Sequence, residues 1–303
     1  MTPHSPHETP RSRRSERTNS GSESTLVGVR RVEIQRRDGP PIADLVAVEE
    51  PLEIRVDGRP LAITMRTPGD DEELVAGFLY SEGLIDSAAQ IETMEVVTGA
   101  DESDLIGLDE KPGEGLCKGG SRIAVRFRGG LDEAAFERAH REFRATAACG
   151  VCGKRRLEDL SQDFAEIQPL ECERELLEKL PAVMRQRQRL FDATGGIHAA
   201  GCFDSSGQLL LVREDIGRHN AVDKVIGHFV LAGQLPLHKR ILVVSGRAGF
   251  ELVQKALRAE VPVLVAVGAA SSMAVEMAAD SGMALYSFVA PGRGNLHISG
   301  NAG

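Results

Sequence analysis

The sequence has few cysteines and no long apolar run. Its five cysteines are a sparse, odd-numbered set for 303 residues, whereas a small fold stapled by disulfides uses a denser, even set. The longest apolar candidate, Val261 to Val267, is much shorter than the roughly 18 residues that span a bilayer. We therefore expect neither a disulfide scaffold nor a membrane protein.

An export signal is also missing from the first residues. Met1 to Thr25 contains no apolar stretch of the kind found in a signal peptide. Arg13-Arg14 is a twin arginine, but the polar run Ser15 to Gly21 follows it, and an export signal needs an apolar run there. The composition predicts a disordered polar tail over residues 1–26. We expect a cytoplasmic protein with reduced thiols.

Positive charge is in deficit. The chain has 36 basic and 45 acidic residues and a formal net charge of -9. An acidic surface repels phosphates, which argues against a nucleic-acid binder that works by bulk electrostatics. The fractions of hydrophobic and charged residues, 42% and 27%, are ordinary for a soluble globular protein. The length corresponds to roughly two domains.

The first half of the chain predicts a small α+β domain over residues 27–144. Alternating apolar positions indicate strands, Asp57-Gly58 indicates a hairpin turn, and four acids from Asp70 to Glu73 suit the start of a helix. The predicted strands are Val29–Gln35, Leu52–Val56, Leu61–Met65, Ile91–Thr98 and Arg122–Arg128, and the predicted helices run from Asp70 to Gly83 and from Leu131 to Arg144.

The second half, residues 145–303, predicts a three-layer α/β domain. Continuous apolar strands that alternate with helices are typical of a parallel sheet covered on both faces, and a hairpin around Asp204 to Gly207 adds an antiparallel edge, so the sheet is mixed. The predicted strands are Ile197–Phe203, Gln208–Arg213, Ile241–Val244, Val263–Val267 and Ala284–Val289; the predicted helices are Arg174–Leu190, Arg218–Ala232, Phe250–Ala259 and Ser271–Asp280.

The sharpest chemical feature is the cysteine pair Cys149 and Cys152, which glycines surround and the cations Lys154 to Arg156 follow. A thiolate rather than a thiol is the nucleophile, and nearby cations lower the thiol pKa. The pair is therefore typical of thiol or persulfide chemistry, or of a redox pair. The alternative is that both cysteines are incidental loop residues.

Two metal-dependent interpretations of the pair are weaker. Structural zinc needs four ligands, and the remaining cysteines, Cys117, Cys172 and Cys202, stand alone. A zinc deaminase needs His-x-Glu before Pro-Cys-x-x-Cys. His140 and Glu142 precede the pair, but the gap is too short for separate helices and residue 148 is alanine. We expect no metal site.

A second feature is the run of ionisable residues from Arg213 to Lys224 between a strand and a helix. Binding sites of α/β sheets lie at such junctions. We expect Glu214, Asp215, Arg218 and His219 to line a cavity. The alternative is a capped helix with solvated charges, in which Asp215 is the cap and Asp223-Lys224 an exposed turn. His198, in an apolar strand, is either a core histidine or a working one.

Three loops rich in small residues follow predicted strands: Ser245–Gly249, Gly268–Ser272 and Pro291–Asn295. None is a Walker A loop or a complete dinucleotide fingerprint. Backbone amides at helix starts, together with Arg247 and Arg293, are suited to phosphate oxygens. The loops together predict a crevice for an anionic, nucleotide-like ligand.

These residues resemble the formate dehydrogenase accessory sulfurtransferases, the sulfur carriers of the FdhD type. The resemblance runs from about Val29 to Ile298 and is specific because five separated blocks occur in order. The blocks are Cys149–Gly153, Gly195–Ala200, Glu214–Lys224, Arg247–Ala256 and Phe288–Arg293. Ile197 and Gly249 depart from the family pattern, which leaves the finer ligand contacts open.

The resemblance implies a sulfurtransferase that takes persulfide sulfur from a cysteine desulfurase and sulfurates the molybdenum cofactor for formate dehydrogenase. The cofactor is the bound ligand, as molybdenum bis(molybdopterin guanine dinucleotide). Cys149 matches the persulfide-bearing cysteine and Cys152 its partner. The residues assigned to the cofactor are Phe288, Val289, Ala290, Pro291, Gly292 and Arg293, with Arg247 and His219 added from the site pattern.

The resemblance also implies a fold similar to cytidine deaminases without their zinc, and a homodimer. Two function classes stay open on the residues. One is sulfur transfer through Cys149; the other is a chaperone that binds the molybdenum cofactor without obligatory sulfur transfer.

Overall fold

A computed structural model describes residues 26–37, 39–97, 120–140 and 166–297. The strands are β1 (Val29–Ile34), β2 (Ile42–Ala47), β3 (Glu50–Val56), β4 (Arg59–Arg66), β5 (Ile91–Val97), β6 (Ser121–Phe127), β7 (His198–Asp204), β8 (Leu209–Asp215), β9 (Arg240–Val244), β10 (Val263–Ala266), β11 (Ala284–Ala290) and β12 (Arg293–His297). The helices are α1 (Asp71–Ser81), α2 (133–140), α3 (Arg174–Leu177), α4 (Leu180–Arg185), α5 (Arg189–Thr194), α6 (Arg218–Leu231), α7 (Phe250–Arg258) and α8 (Ser272–Asp280). No helix within these ranges is long and apolar enough to cross a membrane.

The first half builds a four-stranded mixed sheet in the order β4-β3-β6-β5. The predicted hairpin between β3 and β4 is confirmed. Its turn residues Asp57 and Gly58 have φ of 47° and 80°, as a two-residue turn of matching twist requires. The helix predicted from the acidic run is confirmed as α1. A separate hairpin of β1 and β2 was only half predicted, since β2 has no clear alternation.

The second half builds a six-stranded sheet in the order β12-β11-β10-β9-β7-β8. The central strands β9, β10 and β11 are parallel, and the predicted antiparallel hairpin of β7 and β8 lies at one edge. The prediction of a loop at the other edge, over Pro291–Asn295, is corrected. Residues from Arg293 onward form the antiparallel strand β12. The prediction of a mixed sheet is therefore confirmed, with one more strand than expected.

Apolar clusters cover both faces of this sheet. Side chains of β9 alternate between them: Leu242 and Val244 join the cluster of α6, α7 and α8, while Ile241 and Val243 join the cluster of α3 and α4. Alternation of this kind follows from the period of two along a strand. The chain is thus α/β with a mixed sheet between helices; the likeness to cytidine deaminases stays a prediction.

The single helix predicted over residues 174–190 is wrong. The structure has three short helices there, α3, α4 and α5. Pro181 lies in the first turn of α4, where it is tolerated but interrupts the preceding hydrogen bonds. Gln188, before α5, has φ −84° and ψ 80°, which is not helical. The two breaks bend the chain across the end of the sheet.

The two halves share one apolar cluster, and α1 packs closely on α6. Gly77 and Gly227 form the crossing: a Cβ at Gly77 would overlap the carbonyl of Asp223, and one at Gly227 would overlap that of Glu73. The predicted boundary at residues 144–145 and the predicted tail up to residue 25 lie outside the described residues. The division into two domains stays a prediction.

Candidate functional site

A cavity of about 600 Å³ lies at the end of the six-stranded sheet. The parallel strands β9, β10 and β11 finish there, and β7, which runs the opposite way, begins there, so four strand ends contribute to one wall. Ligands of α/β sheets bind at this edge. The wall is formed by Pro181, Ala182, Met184, Arg185, Gln188, Phe191, Gly196, Ile197, His198, Ile216, Ser245, Val267, Val289, Ala290 and Pro291.

The wall is mostly apolar, with four polar side chains able to orient a ligand. Ser245 Oγ accepts a hydrogen bond from the Ala199 N–H at 2.9 Å, which leaves its own proton free to donate. The Arg185 guanidinium pairs with Asp192 at 2.7 Å and lies 4.4 Å from the ring centre of Phe191. This mixture is typical of sites for small molecules and cofactors.

His198 is the titratable histidine of the wall. Burial lowers the pKa of its imidazole, and the nearby charges of Arg218 and His219 lower it further. The ring packs on the backbone of Gly246, where a Cβ would lie 3.4 Å from two ring atoms. The lowered pKa favours the neutral imidazole, which can donate one hydrogen bond and accept another.

The carboxylate of Glu214 fixes the segment that closes the cavity. It accepts hydrogen bonds from the N–H groups of Leu190 and Phe191, both at 2.9 Å, and so caps the start of α5. Burial raises the Glu214 pKa, against the effect of these hydrogen bonds. The predicted role of Glu214 as a lining residue is replaced by a structural one, one layer behind the wall.

Asp215 also lies behind the wall. It is fully buried, 2.8 Å from the Lys224 ammonium, and accepts hydrogen bonds from the N–H of Thr67, the N–H of Gly217 and the Asn220 amide. The expectation that Asp215 lines the cavity is corrected for this reason.

The alternative of an exposed Asp223-Lys224 turn is wrong as well. Both residues lie within α6, and both are buried. Asp223 binds the Lys255 ammonium at 2.8 Å and accepts a hydrogen bond from Ser81 at 3.0 Å. The packing of α1 on α6 buries them, and this packing cannot be predicted from the neighbouring residues in the sequence.

The loops that follow β9 and β10 hydrogen-bond to each other. The N–H of Gly268 donates to Gly246 at 2.9 Å, and the N–H of Ala248 donates to Ala269 at 2.9 Å. A Cβ at Gly268 would lie 2.9 Å from the Gly246 oxygen, so this approach requires glycine. Two amides from the loops predicted to hold phosphate therefore hold the loops together.

The eight residues predicted to bind the cofactor divide between the wall and its surroundings. Val289, Ala290 and Pro291 are on the wall. Phe288 is half-exposed and has a φ of 53° at an irregularity of β11, and Gly292 forms the turn into β12 with a φ of 77°. Arg247 and Arg293 are exposed.

His219, the last of the eight, is paired. Its Nε2 lies 2.7 Å from the Glu251 carboxylate without the geometry of a hydrogen bond, and the close approach of His219 lowers the Glu251 pKa. His219 and Arg218 are the cationic neighbours of His198. Cys149 and Cys152 lie outside the described residues, so the assignment of the site residues stays a prediction.

Sequence reasoning missed the contribution of Arg185, Gln188 and Phe191. The sequence predicts one long helix over their segment, which gives these side chains no part in a site. The available signal was Arg185-Gln-Arg187-Gln-Arg189, a run of three arginines in five residues of an acidic chain.

The fold and the cavity define a class: α/β proteins with a cofactor-sized crevice at the carboxyl edge of a mixed sheet. The family is more specific. Residues 47–300 match the FdhD/NarQ family, and the chain belongs to this family.

Known relatives are similar in sequence to this chain over most of its length. A protein of Corynebacterium efficiens named sulfur carrier protein FdhD is 46% identical over 263 residues, which is 86% of this chain and 91% of the relative. An archaeal protein of the same name, from Saccharolobus solfataricus, is 38% identical over 82% of this chain and 86% of its own.

A solved structure from Desulfotalea psychrophila, assigned as a formate dehydrogenase accessory protein, is similar in fold. Its TM-score is 0.66 at 24% identity, over 89% of this chain and 96% of the other. At this identity the similarity supports the fold alone.

Proposed function

We propose that this chain is a sulfur carrier that matures formate dehydrogenase. The observation that carries the proposal is the 46% identity, over 86% of the chain, with a protein named sulfur carrier protein FdhD. The sequence adds a Cys-x-x-Cys pair followed by three cations, a setting that favours thiolates. Formate dehydrogenase enters the proposal as the partner that the family resemblance implies.

In the first step, the Cys149 thiolate attacks the outer sulfur of a persulfide on a cysteine desulfurase. The desulfurase S–S bond breaks, its cysteine leaves as a thiolate, and Cys149 gains the outer sulfur as a persulfide. A persulfide ionises more easily than a thiol, and Lys154 to Arg156 stabilise the resulting anion. No external oxidant is needed, because one S–S bond replaces another.

Cys152 has three possible parts in the transfer. It accepts the sulfur first, relays it, or releases it. In the release route the Cys152 thiolate attacks the inner sulfur of the Cys149 persulfide, which forms a disulfide between the two cysteines and expels hydrosulfide. A cellular thiol then reduces the disulfide.

The sulfur acceptor in this proposal is the molybdenum cofactor, in its bis(molybdopterin guanine dinucleotide) form, held as a substrate. The cavity supports it: its volume and apolar wall suit one flat ring system. Arg185 and the neighbouring Arg218 supply positive charge for an anion, and His198 and Ser245 supply hydrogen bonds. The chain acts as a homodimer in this proposal, as the family resemblance implies.

A second candidate function is a chaperone that binds the cofactor without transferring sulfur, since the described site is a binding cavity. Cys149→Ala separates the two. Formate dehydrogenase is produced in cells whose own copy of this protein is deleted and which are supplied with either the wild type or Cys149→Ala. The specific activity of the dehydrogenase is measured per enzyme molecule. A sulfur carrier loses activation by more than about a hundredfold, on the scale of a lost nucleophile. Activation at the wild-type level would support the chaperone instead.

A further inference from the structure

The Gln188 side chain is buried beside the cavity without a protein partner. Only 3% of Gln188 is exposed, and it forms part of the cavity wall. It occupies the cap position before α5, yet its side chain makes no capping hydrogen bond. Across the described ranges of the chain, no other group hydrogen-bonds to this amide.

Glu214 explains why the amide is free. The N–H groups of Leu190 and Phe191, which a cap residue would otherwise satisfy, donate instead to the Glu214 carboxylate. A carboxylate is a stronger acceptor than an amide oxygen. The backbone of Gln188 keeps the cap position, and its oxygen accepts from the Asp192 N–H at 3.0 Å. The side chain is left to face the cavity.

The chemistry of an amide restricts what can satisfy it. An amide presents a donor and an acceptor side by side and carries no charge, and the polar atoms of Gln188 are open to the cavity rather than sealed within the protein. A ligand edge with an acceptor next to a donor matches both groups at once. Met184, Phe191 and Ile197 supply apolar wall beside it, which favours a flat ring over a sugar or a phosphate.

We propose that Gln188 is a specificity-determining residue that hydrogen-bonds the lactam edge of a 2-amino-4-oxopyrimidine ring in this cavity. The lactam edge is the adjacent ring N–H and C=O, and guanine and pterins share it. The amide oxygen accepts from the ring N–H, and the amide N–H donates to the ring carbonyl. This inference rests on the proposed function, which supplies a dinucleotide containing both rings.

The test is calorimetric titration of the full chain with two probes, GDP and 6-hydroxymethylpterin. Gln188→Met keeps the length of the side chain and removes both polar atoms. We expect its affinity for the ring that occupies the cavity to fall about ten- to a hundredfold, as for the loss of a bidentate contact. Gln186→Met, at an exposed position two residues away, is the matched control and leaves both affinities unchanged.

A second measurement changes the probe rather than the protein. Methylation of the lactam nitrogen removes the ring donor, so the N-methylated probe binds the wild type as weakly as the unmodified probe binds Gln188→Met. Gln188→Met itself loses little more on methylation, because the contact is already absent. Which probe shows this behaviour identifies guanine or pterin as the ring in the cavity.

Two outcomes would overturn the inference in different ways. If the wild type binds a probe and Gln188→Met binds it equally well, the role of Gln188 is wrong and the proposed function stands. If the wild type binds neither probe, the inference and the cofactor-binding step both fail. Persulfide formation on Cys149, measured separately by mass, then decides whether sulfur transfer survives.

Discussion

Two sets of polar side chains lie near this end of the six-stranded sheet, one behind the cavity wall and one on it. Behind the cavity wall, Asp215 and Lys224 are fully buried and satisfied by each other and by neighbouring groups. On the wall, Gln188 is also buried and His198 is partly buried, but Gln188 has no protein partner within the described residues. The two sets differ in whether protein groups satisfy their polar atoms. We therefore assign the first set to the scaffold and the second to the binding surface.

The comparison teaches that charge density in a sequence does not locate a site. The run from Arg213 to Lys224 is dense in ionisable residues, yet Asp215 and Lys224 join α6 to the segment before α1 through Thr67. The wall residues to which we assign binding are instead an amide, Gln188, and an imidazole, His198. We expect changes to the scaffold set to alter stability and changes to the wall set to alter binding.

The largest expected effect comes from Lys224→Met. It leaves the Asp215 carboxylate buried without its cation, and breaking a buried pair in this way costs about 3–5 kcal/mol. Urea unfolding followed by circular dichroism measures the loss. Lys239→Met, at an exposed lysine, is the control and stays within about 0.5 kcal/mol of wild type. Equal stabilities of the two variants would contradict the role assigned to the pair.

The crossing of α1 and α6 gives the next effect. Gly77→Ala places a Cβ against the Asp223 carbonyl, so the helices must separate. Alanine gains up to about 1 kcal/mol of helix propensity, but overpacking costs about 1–3 kcal/mol, and we expect a net loss. Thermal unfolding measures it. Gly196→Ala, where a Cβ meets open space, is the comparison, and a stabilised Gly77→Ala would show that the crossing tolerates a methyl group.

A change on the wall should have the opposite effect, with a loss of binding and little loss of stability. His198→Gln removes a hydrogen-bonding imidazole, and we expect affinity for the probe that occupies the cavity, GDP or 6-hydroxymethylpterin, to fall roughly two- to tenfold with little loss of stability at pH 7. Titration calorimetry and urea unfolding together test it. A protein that unfolds more readily but binds that probe normally would place His198 with the scaffold.

The pH dependence of stability sharpens the same point. Burial, with Arg218 and His219, lowers the His198 pKa in the folded state. As the pH falls through the ordinary histidine value, near 6.5, the unfolded chain takes up the proton first, so stability decreases. His198→Gln removes this part of the loss between pH 7 and pH 5. Parallel curves for the two proteins would contradict it.

The smallest effect concerns a thiol of the scaffold. Cys202 is buried in β7, and burial raises its pKa to about 12. Because the thiolate is the reactive form, we expect no alkylation of Cys202 by iodoacetamide at pH 8 until urea unfolds the protein. Peptide mass spectrometry measures the labelled fraction. Rapid labelling of Cys202 in the native protein would contradict this expectation and show that β7 opens.

Much of the sheet was predictable because its order is local. The apolar strands around Val243 and Val265 alternate with helices, and that pattern is sufficient to predict a parallel sheet. The chain breaks at Pro181 and Gln188 were not recognised, because short helices with ordinary propensity resemble one long helix. The burial of Asp223 was not predictable either, since it depends on a helix more than a hundred residues away.

The site was predictable only in its position. Loops after parallel strands place a ligand at the carboxyl edge of the sheet, and Val289 and Ala290 are on the wall there. The free amide of Gln188 depends on Glu214 capping another residue's helix, a tertiary arrangement that no spacing in the sequence encodes.

The central claim is that Cys149 carries a persulfide, and intact mass spectrometry tests it most directly. The chain is incubated with a cysteine desulfurase and cysteine, without reductant, next to Cys149→Ala and Cys152→Ala. The account predicts a gain of one sulfur atom in the wild type, absent in Cys149→Ala and removed by thiols. No gain in the wild type, while the desulfurase itself carries a persulfide, would contradict sulfur transfer and leave a protein that binds the cofactor only.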